Sequence, residues 1–205
     1  MIRVALVDDH PVVLSGLEAV LRTVEDVEVV ARGRTLGEAR AIAERPDVDV
    51  LLLDVRLPDG NGLELVAGVA ERSGPAVLIL SSFLSRQYVA AAVRFGAQGF
   101  LLKTTPLEEL VAAIRRIAVG GTAFAPDYVR EARTGFVNLT SRERQIIELV
   151  ITGRSNDEIA AELHTSRKTI EVHLSRMYER FEVMTRLELA MRADHEGWLE
   201  IAPQR

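Results

Sequence analysis

Apolar and polar positions alternate regularly over the first 120 residues, where short apolar runs are separated by longer stretches with helical periodicity. Near-continuous Val, Leu and Ile runs are typical of strands buried on both faces of a parallel sheet. Strands that alternate with amphipathic helices indicate a doubly wound α/β domain. The predicted strands lie at 2–7, 27–32, 48–53, 76–81 and 98–102, and the clearest helices lie at 11–23, 35–45, 85–95 and 106–119.

The pattern changes after residue 120. Residues 121–138 contain Pro126 and Gly135 and break the alternation, so they are predicted to form a linker, with a helical turn around 128–132. Residues 139–205 show helical periodicity without a strand signal. They are predicted to form a small all-α domain with helices at 140–152, 155–163, 166–181 and 185–196.

The second and third of these helices are joined by the short connection 164–166, which is the spacing of a helix-turn-helix motif. Spacing alone is equally compatible with a small helical bundle that makes protein contacts. Charge does not favour DNA, because residues 139–192 contain equal numbers of acidic and basic residues and DNA-binding domains are usually basic.

Composition excludes several kinds of site and of protein. The chain has a net charge of −5 and no cysteine, which excludes disulfides, zinc–thiolate sites and cysteine nucleophiles. Its first residues lack the pattern of a signal peptide, and no apolar run approaches the roughly 18–20 residues that cross a bilayer. We therefore expect a cytoplasmic protein that does not enter the membrane.

Polar residues follow four of the five predicted strands. Asp8 and Asp9 end the first strand, Asp54 the third, Ser81 the fourth and Lys103 the fifth. The carboxyl ends of parallel strands line one crevice, so these side chains are expected to converge. Three carboxylates can hold Mg²⁺, and one of them can accept a phosphoryl group whose charge the metal and the lysine neutralise. A single acid after a strand is more often a cap or turn residue, but all five in this order predict a phosphorylation site.

An aspartate-nucleophile phosphatase is the enzymatic alternative. Those enzymes place a second acid two residues after the nucleophile, where it protonates the leaving group. Here that position is Arg56, which cannot donate a proton. His10, next to the acid pair, is expected to be a loop residue.

The segments LVDDHP, LLLDVRLPDGNG, LILSS and GAQGFLLK resemble the signature segments of response-regulator receiver domains. The resemblance implies a flavodoxin-like sheet with strand order 2-1-3-4-5 over residues 1–120. It also implies phosphotransfer from a histidine kinase to Asp54, with slow self-dephosphorylation as the only enzymatic activity. In this family Asp8, Asp9, Asp54 and the backbone carbonyl of Arg56 would hold Mg²⁺, Lys103 would contact the phosphoryl group, and Ser81 and Phe100 would form a switch pair.

The strings LTSRE, GRSNDEIA and SRKTIEVH in residues 139–205 resemble the LuxR-type DNA-binding domain, so that the whole chain is similar to NarL/FixJ-type response regulators. This resemblance implies a homodimer that forms on phosphorylation and binds a palindromic operator. Many relatives carry lysine where Glu171 and Ser175 stand, which indicates an unusual operator preference. The candidate DNA contacts are Ser166, Arg167, Lys168, Thr169, Glu171, Val172, Ser175, Arg176 and Arg180.

The final helix pairs DNA-binding domains in this family, and its candidate contact residues are Arg186, Leu187, Leu189 and Ala190. They would equally serve to cap the helical bundle, and the sequence does not separate the two roles. Glu196, Glu200 and Pro203 are expected in an acidic tail. Two alternatives to a phosphorylation-gated transcription factor remain: a DNA-binding regulator that is independent of phosphorylation, and a protein-interaction switch.

Overall fold

The computed structural model describes residues 1–72, 74–126 and 137–199. The chain divides into two compact units, residues 1–136 and 137–205. The predicted linker lies largely outside the described residues, as does its helical turn at 128–132.

Parallel strands form a five-stranded sheet in the described part of the first unit. The strands along the chain are β1 (Ile2–Val7), β2 (Val27–Gly33), β3 (Val50–Asp54), β4 (Arg56–Leu57), β5 (Gly60–Asn61), β6 (Ala76–Ser81) and β7 (Gly99–Leu102). The sheet has the order β2-β1-β3-β6-β7, while β4 and β5 form a separate, short antiparallel ribbon. Without the ribbon the order is 2-1-3-4-5, so the predicted flavodoxin-like fold is confirmed.

Helices connect the strands and cover the sheet. Leu14 and Leu21 of the first helix and Ile114 of the fifth pack in one core with Leu52 of the central strand. All five residues of β3 are buried, as expected for a strand with helices on both faces. The helices are α1 (Pro11–Leu21), α2 (Leu36–Ala43), α3 (Leu63–Glu71), α4 (Arg86–Phe95) and α5 (Leu107–Ala118).

The β4–β5 ribbon positions the loop that follows Asp54. A Cβ atom at Gly62 would lie 2.1 Å from the Asp54 carbonyl oxygen, so only glycine fits there. The Asp59 carboxylate accepts hydrogen bonds from the backbone N–H groups of Leu36 (2.5 Å) and Gly37 (2.9 Å). These two bonds lower the pKa of Asp59 and fix the ribbon against the N-terminus of α2.

The first residues of the predicted linker lie against the edge of the sheet. Ala123 forms a parallel bridge with Gly99, its N–H donates to the Gln98 carbonyl (2.7 Å), and its carbonyl accepts from the Phe100 N–H (3.1 Å). The physical reason is that β7 is an edge strand, whose free backbone groups the following segment satisfies.

Four helices form the described part of the second unit: α6 (Ser141–Ile151), α7 (Asn156–Glu162), α8 (Arg167–Arg180) and α9 (Arg186–His195). Each is capped by a hydroxyl that accepts from the N–H three residues later, at Thr140, Ser155, Ser166 and Thr185. Ile147, Ile159, Ile170 and Met177 are fully buried between them.

The C-terminal segment up to residue 199 belongs to this core, so Glu196 does not lie in an acidic tail. Trp198 is fully buried, its ring centroid lies 4.4 Å from that of Phe181, and its Nε1 donates to Glu196 (2.8 Å). The Arg144 guanidinium donates to the Leu199 carbonyl (2.6 Å). Burial of the large Trp198 side chain is more favourable in free energy than the conformational entropy lost by ordering the few residues that follow α9. The segment therefore folds back onto the core. Glu200 and Pro203 lie outside the described residues.

Within residues 1–72, 74–126 and 137–199, no helix has the length and apolar character needed to cross a membrane.

Candidate functional site

The sheet brings four of the sequence-predicted residues to its carboxyl edge. Asp8 directly follows β1, Asp54 ends β3, Ser81 ends β6 and Lys103 directly follows β7. The Lys103 N–H donates to the Ser81 carbonyl (2.8 Å), which extends the pairing of β6 and β7 into the site. Asp8, Asp54 and Ser81 are buried.

Lys103 connects the two buried carboxylates. Its Nζ lies 2.6 Å from the Oδ2 atoms of both Asp8 and Asp54. Only 11% of the lysine side chain is exposed. The ammonium group therefore occupies the position from which it neutralises charge on Asp54.

Asp9 and His10 lie at the solvent-exposed edge of the pocket that Asp8, Asp54, Ser81 and Lys103 form. The His10 backbone N–H donates to Asp8 Oδ1 (2.9 Å), and its ring Nδ1 lies 3.3 Å from Asp8 Oδ1 and 2.5 Å from Asp9 Oδ1. The His10 ring therefore lies against both carboxylates on the exposed side of the pocket.

The carboxylates fit a divalent cation. One ligand atom from each of Asp8, Asp9, His10 and Asp54 lies within 4.8 Å of the others. Three carboxylates provide the hard oxygen donors that Mg²⁺ prefers. Three carboxylates lie beside the single ammonium group of Lys103, and this excess of negative charge favours a bound cation.

The pKa values of the pocket follow from burial and pairing. Burial raises the pKa of Asp54, and the hydrogen bond and charge of Lys103 offset this only in part. Burial lowers the pKa of Lys103, but hydrogen bonds to Asp54 and Asp8 outweigh it, so that the pKa of the lysine is raised. Lys103 is therefore charged at neutral pH.

Ser81 and Phe100, the predicted switch pair, lie on adjacent strands. The Ser81 hydroxyl donates to the Phe83 carbonyl (2.9 Å) and accepts from the Phe83 N–H (3.2 Å), so it is engaged within its own loop. Phe100 is fully buried, opposite Ile79 in the sheet. The ring already occupies an inward position in this structure.

Arg56 begins β4, two residues after Asp54. Its Nε donates to the hydroxyl of Tyr88 in α4 (3.2 Å), although Tyr88 itself is fully buried. The side chain is thus directed toward α4. The role of the Arg56 carbonyl as a metal ligand stays a prediction.

One face of α8 forms an exposed polar surface in the second unit. Ser166 caps the helix, and its Oγ lies 2.8 Å from that of the half-buried Thr169. Val172 is 43% exposed. The opposite face of α8 is buried in the core, so these positions face away from it. The exposed residues of this surface are Ser166, Arg167, Lys168, Glu171, Val172, Ser175 and Arg176.

The basic residues of α8 differ in their partners. Arg167 contacts Asp157 of α7 (3.0 Å) and Glu171 one turn along α8 (2.9 Å). Arg180 contacts Glu143 (2.9 Å) and donates to the Asn138 carbonyl (2.7 Å), which ties α8 to the start of α6. Lys168 and Arg176 form no ion pair within the described part of the chain.

The residues predicted on the final helix separate into two groups. Leu189 is fully buried and the Arg186 guanidinium binds Asn156 Oδ1 (2.8 Å) and the Arg154 carbonyl, so both hold the unit together. Leu187 is 68% exposed, and Ala190 is half-buried. Leu187 lies on an exposed apolar stripe with Met184 and Met191.

Two charged or titratable residues that contact these sites, His10 in the receiver pocket and Asp157 beside α8, were not predicted from the sequence. His10 was expected to be a loop residue, yet its ring contacts both acids, and its position next to them was the available signal. Nothing in the sequence around Asp157 indicated its role, because it contacts Arg167 across two different helices and this pairing depends on the tertiary structure.

Comparisons with known proteins agree with this division. Residues 4–115 match the family described as the response regulator receiver domain, and residues 137–193 match the bacterial regulatory proteins of the luxR family. The chain is 39% identical to the transcriptional regulatory protein UhpA of Escherichia coli over 97% of this chain and all of that protein. It is 32% identical to the transcriptional regulatory protein DesR of Bacillus subtilis over 98% of this chain and all of that protein.

A solved structure shares the fold. RcsB from Salmonella enterica serovar Typhimurium, bound to a promoter in the presence of the phosphomimetic BeF3⁻, matches with a TM-score of 0.69. The identity is 24%, over 93% of this chain and 97% of that one.

Proposed function

Because this chain belongs to the two-component response regulators, with a receiver domain followed by a LuxR-type DNA-binding domain, we propose that phosphorylation of Asp54 switches its binding to DNA. The observation that carries this proposal is the bridge of Lys103 Nζ between Asp8 and Asp54 at 2.6 Å. A carboxylate with a fixed cation beside it is suited to accept a phosphoryl group, since the new charge is neutralised where it forms.

In this proposal an Asp54 carboxylate oxygen attacks the phosphorus of a phosphohistidine on the partner kinase, the P–N bond breaks, and the imidazole leaves as the aspartyl phosphate forms. Asp8, Asp9, Asp54 and the Arg56 carbonyl would hold Mg²⁺, which would supply positive charge for the phosphoryl oxygens. Lys103 keeps its contact with Asp8 and moves from the Asp54 oxygen to a phosphoryl oxygen. Slow hydrolysis of the acyl phosphate is the only enzymatic activity that we assign.

Ser81 responds to phosphorylation of Asp54. Its hydroxyl exchanges the Phe83 carbonyl for a phosphoryl oxygen, which releases the loop after β6. Phe100, on the neighbouring strand, adjusts its packing as that loop moves. This is a two-state switch of the kind in which a local charge changes the packing of an adjoining surface.

The second unit then binds a palindromic operator in the cytoplasm as a homodimer. Lys168 and Arg176 contact phosphates, as do the Ser166 hydroxyl and the backbone N–H groups at the start of α8. The exposed stripe of Met184, Leu187 and Met191 pairs two copies. RcsB was solved bound to a promoter with a phosphomimetic present, and this precedent supports the proposal.

A phosphotransfer assay tests the assignment of Asp54. The full chain is incubated with Mg²⁺ and acetyl phosphate, and its intact mass is recorded. We expect a gain of one phosphoryl group that alkali removes, absent in Asp54→Asn and strongly reduced in Asp8→Asn. Asp47→Asn, an exposed carboxylate paired with Arg45, is the matched control and should behave as the wild type. A phosphorylated Asp54→Asn protein would refute the assignment.

A further inference from the structure

Arg167 lies between two carboxylates of the surface that would face DNA. Its Nη1 lies 3.0 Å from Asp157 Oδ2 and its Nε lies 2.9 Å from Glu171 Oε1. All three side chains are exposed, with 61%, 67% and 48% of their respective surfaces accessible. We call these three residues the Arg167 clamp.

The clamp changes the charge that α8 offers to DNA. A phosphate that approaches the start of the helix meets Arg167 already neutralised by two carboxylates, whereas Lys168 and Arg176 have no such partner in the described residues. The clamp must open before Arg167 binds a phosphate. Non-specific affinity is therefore reduced, because that affinity depends on cations that replace counterions.

Glu171 has a second possible partner once Arg167 has moved. It lies next to Val172 in the first half of α8, on the face of the helix that is exposed to solvent. A carboxylate only accepts hydrogen bonds. In the major groove guanine presents two acceptors, adenine an amino group beside an acceptor, and cytosine an amino group alone, so cytosine is the base that a carboxylate fits.

We propose that Glu171 is a specificity-determining residue that holds Arg167 in the free protein and accepts a hydrogen bond from a cytosine amino group when Arg167 binds a DNA phosphate. The inference rests on the proposed DNA binding of the second unit. Asp157, which lies on α7, acts only on the charge of Arg167 and does not read a base. When the Arg167–Glu171 ion pair opens, a site with cytosine at this position gives Glu171 a new hydrogen bond. A site with another base gives none, so it binds more weakly.

The test is a selection from a random duplex library by the full chain, with Mg²⁺ and beryllofluoride. Three variants each remove one negative charge: Glu171→Gln, Asp157→Asn and the control Glu179→Gln, which lies on α8 outside the clamp. Wild-type protein should select sites with a fixed cytosine in each half-site. Glu171→Gln should lose at least about fivefold of that preference at one position and bind random DNA about two- to fivefold more tightly.

Asp157→Asn should show the gain in random-DNA affinity while it keeps the cytosine preference, and Glu179→Gln should show neither a gain of that size nor a changed preference. Wild-type selection that Glu171→Gln leaves unaltered would overturn the inference and leave the proposed function intact. A wild-type protein that selects no sequence at all would instead contradict the proposed function. Equal gains for Glu171→Gln and Glu179→Gln would show that the clamp has no special role.

Discussion

The two units carry their charged groups in opposite ways. In the receiver domain Asp8 and Asp54 are buried around Lys103, with like charges close together. On α8 of the DNA-binding domain, Arg167 and its carboxylate partners are exposed, and opposite charges neutralise one another. Burial raises the cost of each unpaired charge in the first site, whereas water screens the charges in the second.

The two sites therefore bind their ligands in different ways. The receiver pocket has excess negative charge in a buried place, so a cation or a change of charge on Asp54 has a large effect. The surface of α8 is already neutralised in part, so DNA must compete with internal ion pairs. We expect substitutions in the pocket to alter folding stability and substitutions on α8 to alter binding.

The largest difference is expected from removal of the lysine in the pocket. Lys103→Met leaves two buried carboxylates without their cation. It should lower the free energy of unfolding of the receiver domain by about 3 kcal/mol, the lower end of the usual cost of breaking a buried ion pair, because Lys103 retains some solvent contact. Arg167→Met removes the exposed cation of the clamp and should leave the stability of the second unit little changed.

Urea unfolding separates the two units. Trp198 is the single tryptophan of the chain and lies in the core of the second unit, so its fluorescence follows that unit, while circular dichroism follows both. Mg²⁺ should restore part of the stability lost in Lys103→Met. Equal losses for Lys103→Met and Arg167→Met would contradict the contrast between buried and exposed charge.

A smaller effect, opposite in sign, is expected at Asp54. Burial raises its folded pKa above the unfolded value, so the stability gained by its protonation is present below the unfolded pKa and is lost as pH rises through the folded pKa. Asp54→Asn should therefore be more stable than the wild type at pH 7.5 without Mg²⁺, and this difference should vanish toward pH 4.

Asp26 provides the control for this titration. Hydrogen bonds from Arg115 lower its pKa, so its contribution to stability is present above the unfolded pKa and is lost as pH falls. Asp26→Asn should be less stable than the wild type at pH 7.5. The account of Asp54 fails if Asp54→Asn is also less stable there.

The smallest effects concern the basic residues of α8. Lys168→Ala and Arg176→Ala should each weaken binding to every duplex and make the dependence of log affinity on log salt shallower by about 0.9. Arg180→Ala should instead destabilise the second unit, because Arg180 holds Glu143 and Asn138. A salt titration of duplex binding measures the first effect, and a salt-independent affinity would favour a protein-interaction switch.

The sequence predicted the sheet well because most strand residues are apolar. All five residues of the central strand are buried, and polar residues at the carboxyl ends of β1, β3, β6 and β7 marked where these strands end. The β4–β5 ribbon was not predicted, since two-residue strands have no periodicity. Trp198 was not assigned to the core, because a lone aromatic residue near a charged end gives no pattern.

The partners of individual side chains were beyond the sequence. The clamp joins two helices, and the contact of Arg180 with Glu143 spans 37 residues. The engagement of the Ser81 hydroxyl with Phe83 depends on the local turn. Residue types at strand ends and helix starts therefore predicted where the sites lie, whereas their charge balance required the tertiary structure.

Recovery of genomic DNA shows whether phosphorylation of Asp54 gates DNA binding. Purified wild-type protein and Asp54→Asn are incubated with sheared DNA of the source organism, with Mg²⁺ and with or without beryllofluoride, and the retained fragments are sequenced. We predict fragments that share a palindrome, enriched only for the wild type with beryllofluoride. Equal enrichment with and without the phosphoryl mimic would contradict the account.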